Sequence, residues 1–330
     1  MKCLVTGGAG FIGSHLTEYL LDLGHEVVVL DDFSTGSELN LARSAGHERL
    51  TVVRGSICDA DIVKRSMAGV GAVYHLAAAV GVFTILSKTL DSLHTNLRGT
   101  ETVLEAAREN GARILVASTS EVYGKNTKIG LTEEDDRVLG SPLKSRWSYA
   151  EAKALDETLA YTYAMEHSVG AVIVRPFNTV GPRQTGTYGM VIPRFVSQAL
   201  AGEPLTVFGS GEQIRCFCHV LDVVPALIAL LEDETAHGKV FNLGSSEQVS
   251  IGELAERVRT ATGLVSPIVQ VPYEQAYGPG YEDMQRRVPD CGRARAQVGF
   301  SPSRSLDDIL ASVIAEHSAP TTAEPVCVPR

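Results

Sequence analysis

Tyr149 and Lys153 stand four residues apart in Tyr149-Ala150-Glu151-Ala152-Lys153. On a helix that spacing brings a phenol and an ammonium onto one face. A cation beside a phenol favours the phenolate, so Tyr149 is a candidate base for a hydroxyl proton. Roughly thirty residues earlier, Ser118-Thr119-Ser120-Glu121-Val122-Tyr123-Gly124 follows a strand-like apolar run. Thr119 there can share a hydrogen bond with the same hydroxyl. The alternative for the pair is an exposed helix face without chemistry.

A second group of residues supplies a partner for such a base. Thr6-Gly7-Gly8-Ala9-Gly10-Phe11-Ile12-Gly13 is a G-x-x-G-x-x-G turn between a strand and a helix. Glycine lets the backbone turn sharply and approach a pyrophosphate, and the helix N-terminus offers free N–H groups to it. Asp31 follows at the end of the next strand, at the spacing of a ribose-binding acid. An acid there repels a 2′-phosphate, which favours NAD over NADP. The dinucleotide set is then Gly7, Gly10, Phe11, Ile12, Gly13 and Asp31, with Asp32, Ser34 and Gly36 toward the ribose and adenine. Leu76, Ala77 and Ala78 are small enough for a cofactor to lie flat against them. His75 reads as packed rather than catalytic. Asn96 is a less specific candidate for the same site, with solvation or a helix contact as the alternative.

These residues need a scaffold. Short apolar runs at 2–5, 26–30, 50–53, 72–76, 113–117 and 169–174 alternate with helical stretches. That alternation is the mark of a parallel sheet covered on both faces, an α/β Rossmann-type doubly wound fold. Past Pro176 glycine and proline become frequent and elements shorten. The expected division is an NAD-binding domain over 1–176, with 218–246 crossing back to it. A smaller C-terminal α/β substrate-binding domain takes 177–217 and 247–316. Residues 317–330 are expected to form a disordered tail. The chain has 330 residues, 44% hydrophobic and 21% charged, with a formal net charge of -10. No basic block is present, so neither nucleic acid nor an anionic membrane is an expected partner. Six cysteines without a C-x-x-C pair argue against zinc and a disulfide framework. No leader precedes the first strand and no apolar run reaches about 20 residues. Together these features imply a cytoplasmic protein without a metal site.

Taken together, the motifs resemble the extended short-chain dehydrogenase/reductase family, which acts on nucleotide sugars with bound NAD. The resemblance runs almost to residue 315 and rests on the glycine turn, His75-Leu76-Ala77-Ala78, Ser118-Thr119-x-x-Val122-Tyr123-Gly124 and Tyr149/Lys153. It extends to Arg175-Pro176-Phe177-Asn178-Thr179-Val180-Gly181-Pro182-Arg183 and to 205–223. It implies that Pro176 lies at the cofactor and that Asn178 and Arg183 lie on the substrate side, Asn178 at the diphosphate. Ile192-Pro193 and Val207-Phe208 would form the nucleobase slot, and Arg215 and Arg287 would hold phosphate or sugar. For Arg215 the alternative is a structural ion pair with Asp222. Many relatives carry G-D-[IVL]-x-D where this chain has Gly55-Ser56-Ile57-Cys58-Asp59. Ser56 and Ile57 therefore stand at the adenine, with Ser56 in place of an acid. Relatives are commonly homodimers through the catalytic helix, for which 155–163 is apolar enough.

Members of this family share a first step, in which the base takes the sugar 4-hydroxyl proton as C4 is oxidised. They part afterwards. In the resemblance, 4-epimerases carry a small residue at the position of Glu121, and 4,6-dehydratases carry Asp-Glu where this chain has Ser120-Glu121. UDP-glucuronate decarboxylases carry Ser-Glu and an arginine matching Arg215. The runs 144–149, 213–217 and 277–283 look like the decarboxylases too. The expected function is therefore UDP-glucuronate decarboxylation, to UDP-4-keto-pentose or UDP-xylose, with Ser120, Glu121 and Arg215 in the second step. A residue that merely packs the strand end is the alternative for Glu121. A UDP-sugar 4-epimerase remains the main alternative function, because Trp147-Ser148 replaces the Cys-containing run of many xylose-forming relatives. A 4,6-dehydratase and a non-catalytic NAD-sensing protein stand behind it.

Overall fold

The computed structural model describes residues 1–81, 85, 87–187, 189–278 and 281–318. Seven parallel strands form the central sheet: β1 (Lys2–Thr6), β2 (Glu26–Asp31), β3 (Leu50–Arg54), β4 (Ala72–His75), β5 (Arg113–Ala117), β6 (Ala171–Pro176) and β11 (Val240–Leu243), in the spatial order β11-β6-β5-β4-β1-β2-β3. The order reverses between β1 and β4, and a ligand crevice opens at such a point outside the carboxyl ends of the strands. β11 pairs with β6 in register Val240↔Ile173, so the chain does cross back to the first sheet.

β4 is buried at every position and β5 at three of five, which requires cover on both faces. Helices α1 (Phe11–Asp22) and α6 (Val220–Glu232) cover one face, with Leu16, Leu20, Val223 and Leu227 in its core. Helices α2 (Ala60–Ser66), α3 (Thr89–Asn110) and α4 (Ser148–His167) cover the other, through Val63, Val103, Leu104 and Ala160.

The smaller part joins α5 (Val191–Leu200), α7 (Ile251–Thr262) and the helix Leu306–Ser318 around one more core. Its strands are short. β7 (Thr179–Val180) pairs with β10 (Cys218–His219), β8 (Leu205–Phe208) with β13 (Ile268–Val271), and β9 (Ile214–Cys216) lies between β12 (Gln248–Ser250) and β14 (Arg286–Arg287).

Two expected boundaries shift. The strand expected from 169 starts at Ala171, because α4 runs to His167 and Ser168 closes it in a left-handed conformation, φ 56°. The tail expected from 317 is helical through Ser318, and 319–330 lie outside the described residues. Among the described residues no cluster of three or more His, Cys, Asp or Glu could hold a metal, and no helix is long and apolar enough to cross a membrane.

Candidate active site

The glycine turn closes onto the loop after β4. Gly7 has φ 71°, and a Cβ there would lie 2.8 Å from the Ala77 nitrogen. A Cβ on Gly13 would lie 2.1 Å from the Gly7 carbonyl oxygen. Neither position admits a side chain, and no side chain caps the N-terminus of α1 at Gly10. Phe11 and Ile12 open that helix and are half-buried. This leaves an uncapped helix end with its positive dipole facing the crevice, which fits a pyrophosphate. Asp31 is buried, accepting backbone N–H bonds from Ala9 (2.9 Å) and Phe33 (2.8 Å). Burial raises its pKa, and those two N–H bonds oppose the rise. Gly36 packs on the Asp31 carboxylate, while Asp32 accepts from the Ser34 N–H at 2.9 Å. These residues fit an NAD bound at the switch point.

Some cofactor candidates do other work. Asn96 is buried and grips the loop after β4: it accepts from the Ala79 N–H (2.8 Å) and donates to the Ala79 carbonyl (3.3 Å). Its side chain is thus spent on holding that loop, beyond Leu76, Ala77 and Ala78. Ser56 accepts from the Cys58 N–H at 3.2 Å, and Ile57 is buried against Gly99.

Beside this crevice a cavity of about 310 Å³ brings together Thr119, Ser120, Glu121, Tyr149, Pro176, Asn178, Ile192, Arg215 and Arg287. Thr119 caps the 3-10 turn Ser120–Tyr123 by accepting from the Glu121 N–H (3.2 Å), which aims Glu121 into the cavity. There Glu121 accepts from Arg146 at 2.6 Å and meets Arg287 at 3.5 Å. Arg215 donates to Asp283 at 2.9 Å, and Tyr273 donates to the same oxygen at 3.1 Å. Arg146 reaches the other Asp283 oxygen at 3.8 Å. Arg287 also donates to Asn178. Three guanidinium groups thus face two carboxylates, which leaves the cavity locally cationic. Burial pushes Glu121 toward protonation, but Arg146, Arg287 and Arg215 overcome it and hold the carboxyl below its ordinary range. Burial and the Arg215 charge lower Arg287 to about 10.

Tyr149 lines the cavity, and Lys153, four residues on in α4, is buried and paired with Asp156 at 3.1 Å. The expectation of a lowered phenol pKa is not met by the surroundings of Tyr149 within the chain. Burial pushes it well up, and Glu121 and Asp156 push it further, because both are negative. The structure does not bring two expected substrate residues to the cavity. Arg183 turns away to donate to Glu18 at 2.7 Å beside α1, and lines a separate surface cavity. Val207 faces the hydrophobic core, and strand alternation gives the cavity to Phe208 instead. Arg215 does not pair with Asp222 either, since Asp222 accepts from Arg304 at 2.5 Å.

Several lining residues carried no assigned role in the sequence. Arg146 and Asp283 complete the charge lattice. Arg194 lies 3.8 Å over the Phe208 ring, with Nε and Nη1 buried and without a hydrogen-bond partner. Tyr277 and Tyr281 stack at 4.1 Å over the same mouth. The signal for Arg146, Tyr281 and Asp283 lay in the family-like runs 144–149 and 277–283. For Arg194 no local signal exists.

Residues 3–244 match the NAD dependent epimerase/dehydratase family. The chain belongs to that family. It is 42% identical to a UDP-N-acetyl-alpha-D-glucosaminuronate decarboxylase of Bacillus cytotoxicus, over 95% of this chain and 96% of the relative. It is 37% identical to UDP-glucuronic acid decarboxylase 1 of Xenopus tropicalis, over 95% of this chain and 71% of the relative. A similar solved structure is UDP-glucuronic acid 4-epimerase from Bacillus cereus, in complex with UDP-glucuronic acid and NAD. Its TM-score is 0.86 at 30% identity, over 96% of this chain and 99% of that one.

Proposed function

We propose that the protein is an NAD-dependent decarboxylase of a UDP-linked uronic acid, UDP-glucuronate, giving UDP-4-keto-pentose or, after return of the hydride, UDP-xylose. One observation carries this reading: an ionised Glu121 held among Arg146, Arg215 and Arg287 in the cavity that Tyr149 lines. A plain epimerase has no use for an acid there, whereas loss of a carboxylate needs charge control at C4 and C5. The names of the relatives at 42% and 37% identity support the same reading.

Tyr149 takes the C4 hydroxyl proton, with Thr119 holding the hydroxyl and Lys153 supporting the phenolate. NAD, when bound, supplies the acceptor for the C4 hydride. The resulting 4-ketone makes the C5 carboxylate a β-keto acid. Its C5–C6 bond breaks, carbon dioxide leaves, and the electron pair delocalises onto the C4 oxygen. Arg215 and Arg287 face that developing charge, and fixed cations in a buried site are the arrangement that stabilises it. Ser120 and Glu121 sit where the carboxylate departs, and Glu121 disfavours its retention by like charge or relays the proton to C5.

Residues 1–176 with 218–246 would hold NAD, and 177–217 with 247–316 the nucleotide sugar. We place the protein in the cytoplasm, consistent with free thiols at Cys3, Cys58, Cys216, Cys218 and Cys291. A homodimer through α4 would cover the exposed Leu155, Tyr161 and Met165 on that helix.

Mass spectrometry of the products tests the reaction. UDP-glucuronate and its 2-acetamido counterpart are supplied in parallel with NAD. A product lighter by carbon dioxide supports decarboxylation, and the preferred substrate fixes the group at C2. An isomer of unchanged mass would make the protein an epimerase instead.

A further inference from the structure

Below the cavity, a line of buried polar groups leads from the glycine turn to Lys153. Thr6 Oγ1 accepts from the Ala77 N–H at 3.3 Å, so its own O–H is free to donate to His75 Nδ1 at 2.8 Å. His75 then carries its proton on Nε2 and donates to Thr100 Oγ1 at 3.0 Å. Burial, and then the Lys153 charge, lower His75 to about 3, so it stays neutral. Burial raises the pKa of Asp156, and Lys153 and then the Thr100 hydroxyl oppose the rise; the Asp156 Oδ1 is buried without a hydrogen-bond partner among the described residues. Asp156 is fully buried, and its Oδ2 accepts from Lys153, itself 2% exposed, at 3.1 Å. A buried acid three residues after the lysine serves no core-packing purpose, because an unpaired charge there is strongly unfavourable.

We propose that Asp156 is a positioning residue for the reaction: it anchors the Lys153 ammonium from inside the fold and so sets how far Lys153 supports the Tyr149 phenolate. The charged and titratable groups around this pair are few. His75 faces it from β4, Glu157 and Tyr149 share its helix, and Glu121 faces Tyr149 from the turn after β5. Burial first, then Glu121 and Asp156, oppose ionisation of Tyr149, while a cation one helical turn on, as Lys153 is, favours a phenolate in general. With Asp156 neutral, only burial and Glu121 remain to oppose the phenolate.

This inference rests on Tyr149 as the base, and its test does not depend on which product forms. The NAD-bound protein is titrated by ultraviolet tyrosinate absorbance, with Tyr149→Phe identifying the contribution of Tyr149. In Asp156→Asn that contribution moves to lower pH by about one unit, an order-of-magnitude rise in the phenolate fraction below the midpoint. The acid limb of kcat/KM moves with it, while KM for the nucleotide sugar changes little. An unmoved titration overturns the proposal, since a merely structural Asp156 would change stability without moving it. Asp156→Asn leaves Lys153 less well paired. Should that variant lose its cooperative unfolding transition, Thr100→Val keeps the pair and removes only a hydroxyl that favours the ionised Asp156. It is expected to shift the titration the same way by less, and no shift there counts against the proposal equally. A chain whose titration moves but whose products keep their mass would refute the decarboxylase reading alone.

Discussion

Glu121→Gln separates the two halves of the reaction. The Glu121 side chain is 17% exposed and accepts one 2.6 Å bond from Arg146 and one longer contact from Arg287. A hydrogen bond to a charged acceptor contributes about 1.5–3 kcal/mol, and a neutral one about 0.5–1.5. Glutamine keeps an oxygen for Arg146 but not the charge, so the variant should be less stable by about 1–2 kcal/mol, or a few degrees in Tm. The pH dependence of that loss has a definite sign. The arginines depress the folded-state pKa of Glu121. Its stabilisation is therefore complete above the unfolded value near ~4.3 and fades as pH falls through the lower folded value. The difference between the two proteins is full at neutral pH and closes in acid. For activity, loss of a positioned acid–base group costs about 10²–10⁴-fold. Stopped-flow absorbance should still report NADH formation on mixing with UDP-glucuronate, while trapped carbon dioxide falls by that factor. Carbon dioxide release near the wild-type rate, alongside the lowered Tm, would show that Glu121 only braces the arginines.

Three further substitutions probe the rest of the site. Tyr149→Phe should cut NADH formation by about 10²–10⁴-fold and leave NAD affinity intact by calorimetric titration, and near-normal turnover would remove Tyr149 from its role. Gly13→Ala places a methyl 2.1 Å from the Gly7 oxygen. It should lower stability by about 1–3 kcal/mol and weaken NAD binding, and an unchanged melting curve would contradict the close approach. Arg194→Met removes the bond from Nη2 to the Thr206 carbonyl at 3.0 Å, so it should lower stability by about 0.5–1.5 kcal/mol, and weaken UDP inhibition about tenfold, or ~1.4 kcal/mol. Unchanged UDP inhibition would mean that Arg194 does not meet the nucleotide.

What the sequence disclosed was local. Gly7, Gly10 and Gly13 are readable because strand, turn and helix follow each other within a few residues, and Tyr149 and Lys153 because a helix turns their spacing into a shared face. The first six strands follow from the same alternation, though not their order in the sheet. The charge lattice was not readable as a lattice. Glu121, Arg146, Arg215, Asp283 and Arg287 meet from separate segments, and no spacing announces that Arg215 will choose Asp283 over the nearer Asp222. Val207 and Phe208 were both expected in the nucleobase slot, whereas a strand turns only one of them to the cavity, and which one depends on packing against α5 and α7. Arg183 sits in a family-like run, and only the fold reveals Glu18 beside it. Asp156 is silent in sequence, since an acid on a helix is ordinarily a solvated one.

The cationic pocket sits in a chain of net charge -10. A nucleotide sugar bearing a diphosphate and a carboxylate is therefore repelled by the molecule as a whole and drawn in only near the three arginines. Beyond a Debye length, about 8 Å at physiological ionic strength, salt hides the repulsion, while the buried attraction is screened far less. Encounter is thus short-ranged by construction. Modest salt should quicken the approach of substrate rather than slow it, the reverse of enzymes whose whole surface steers an anion inward.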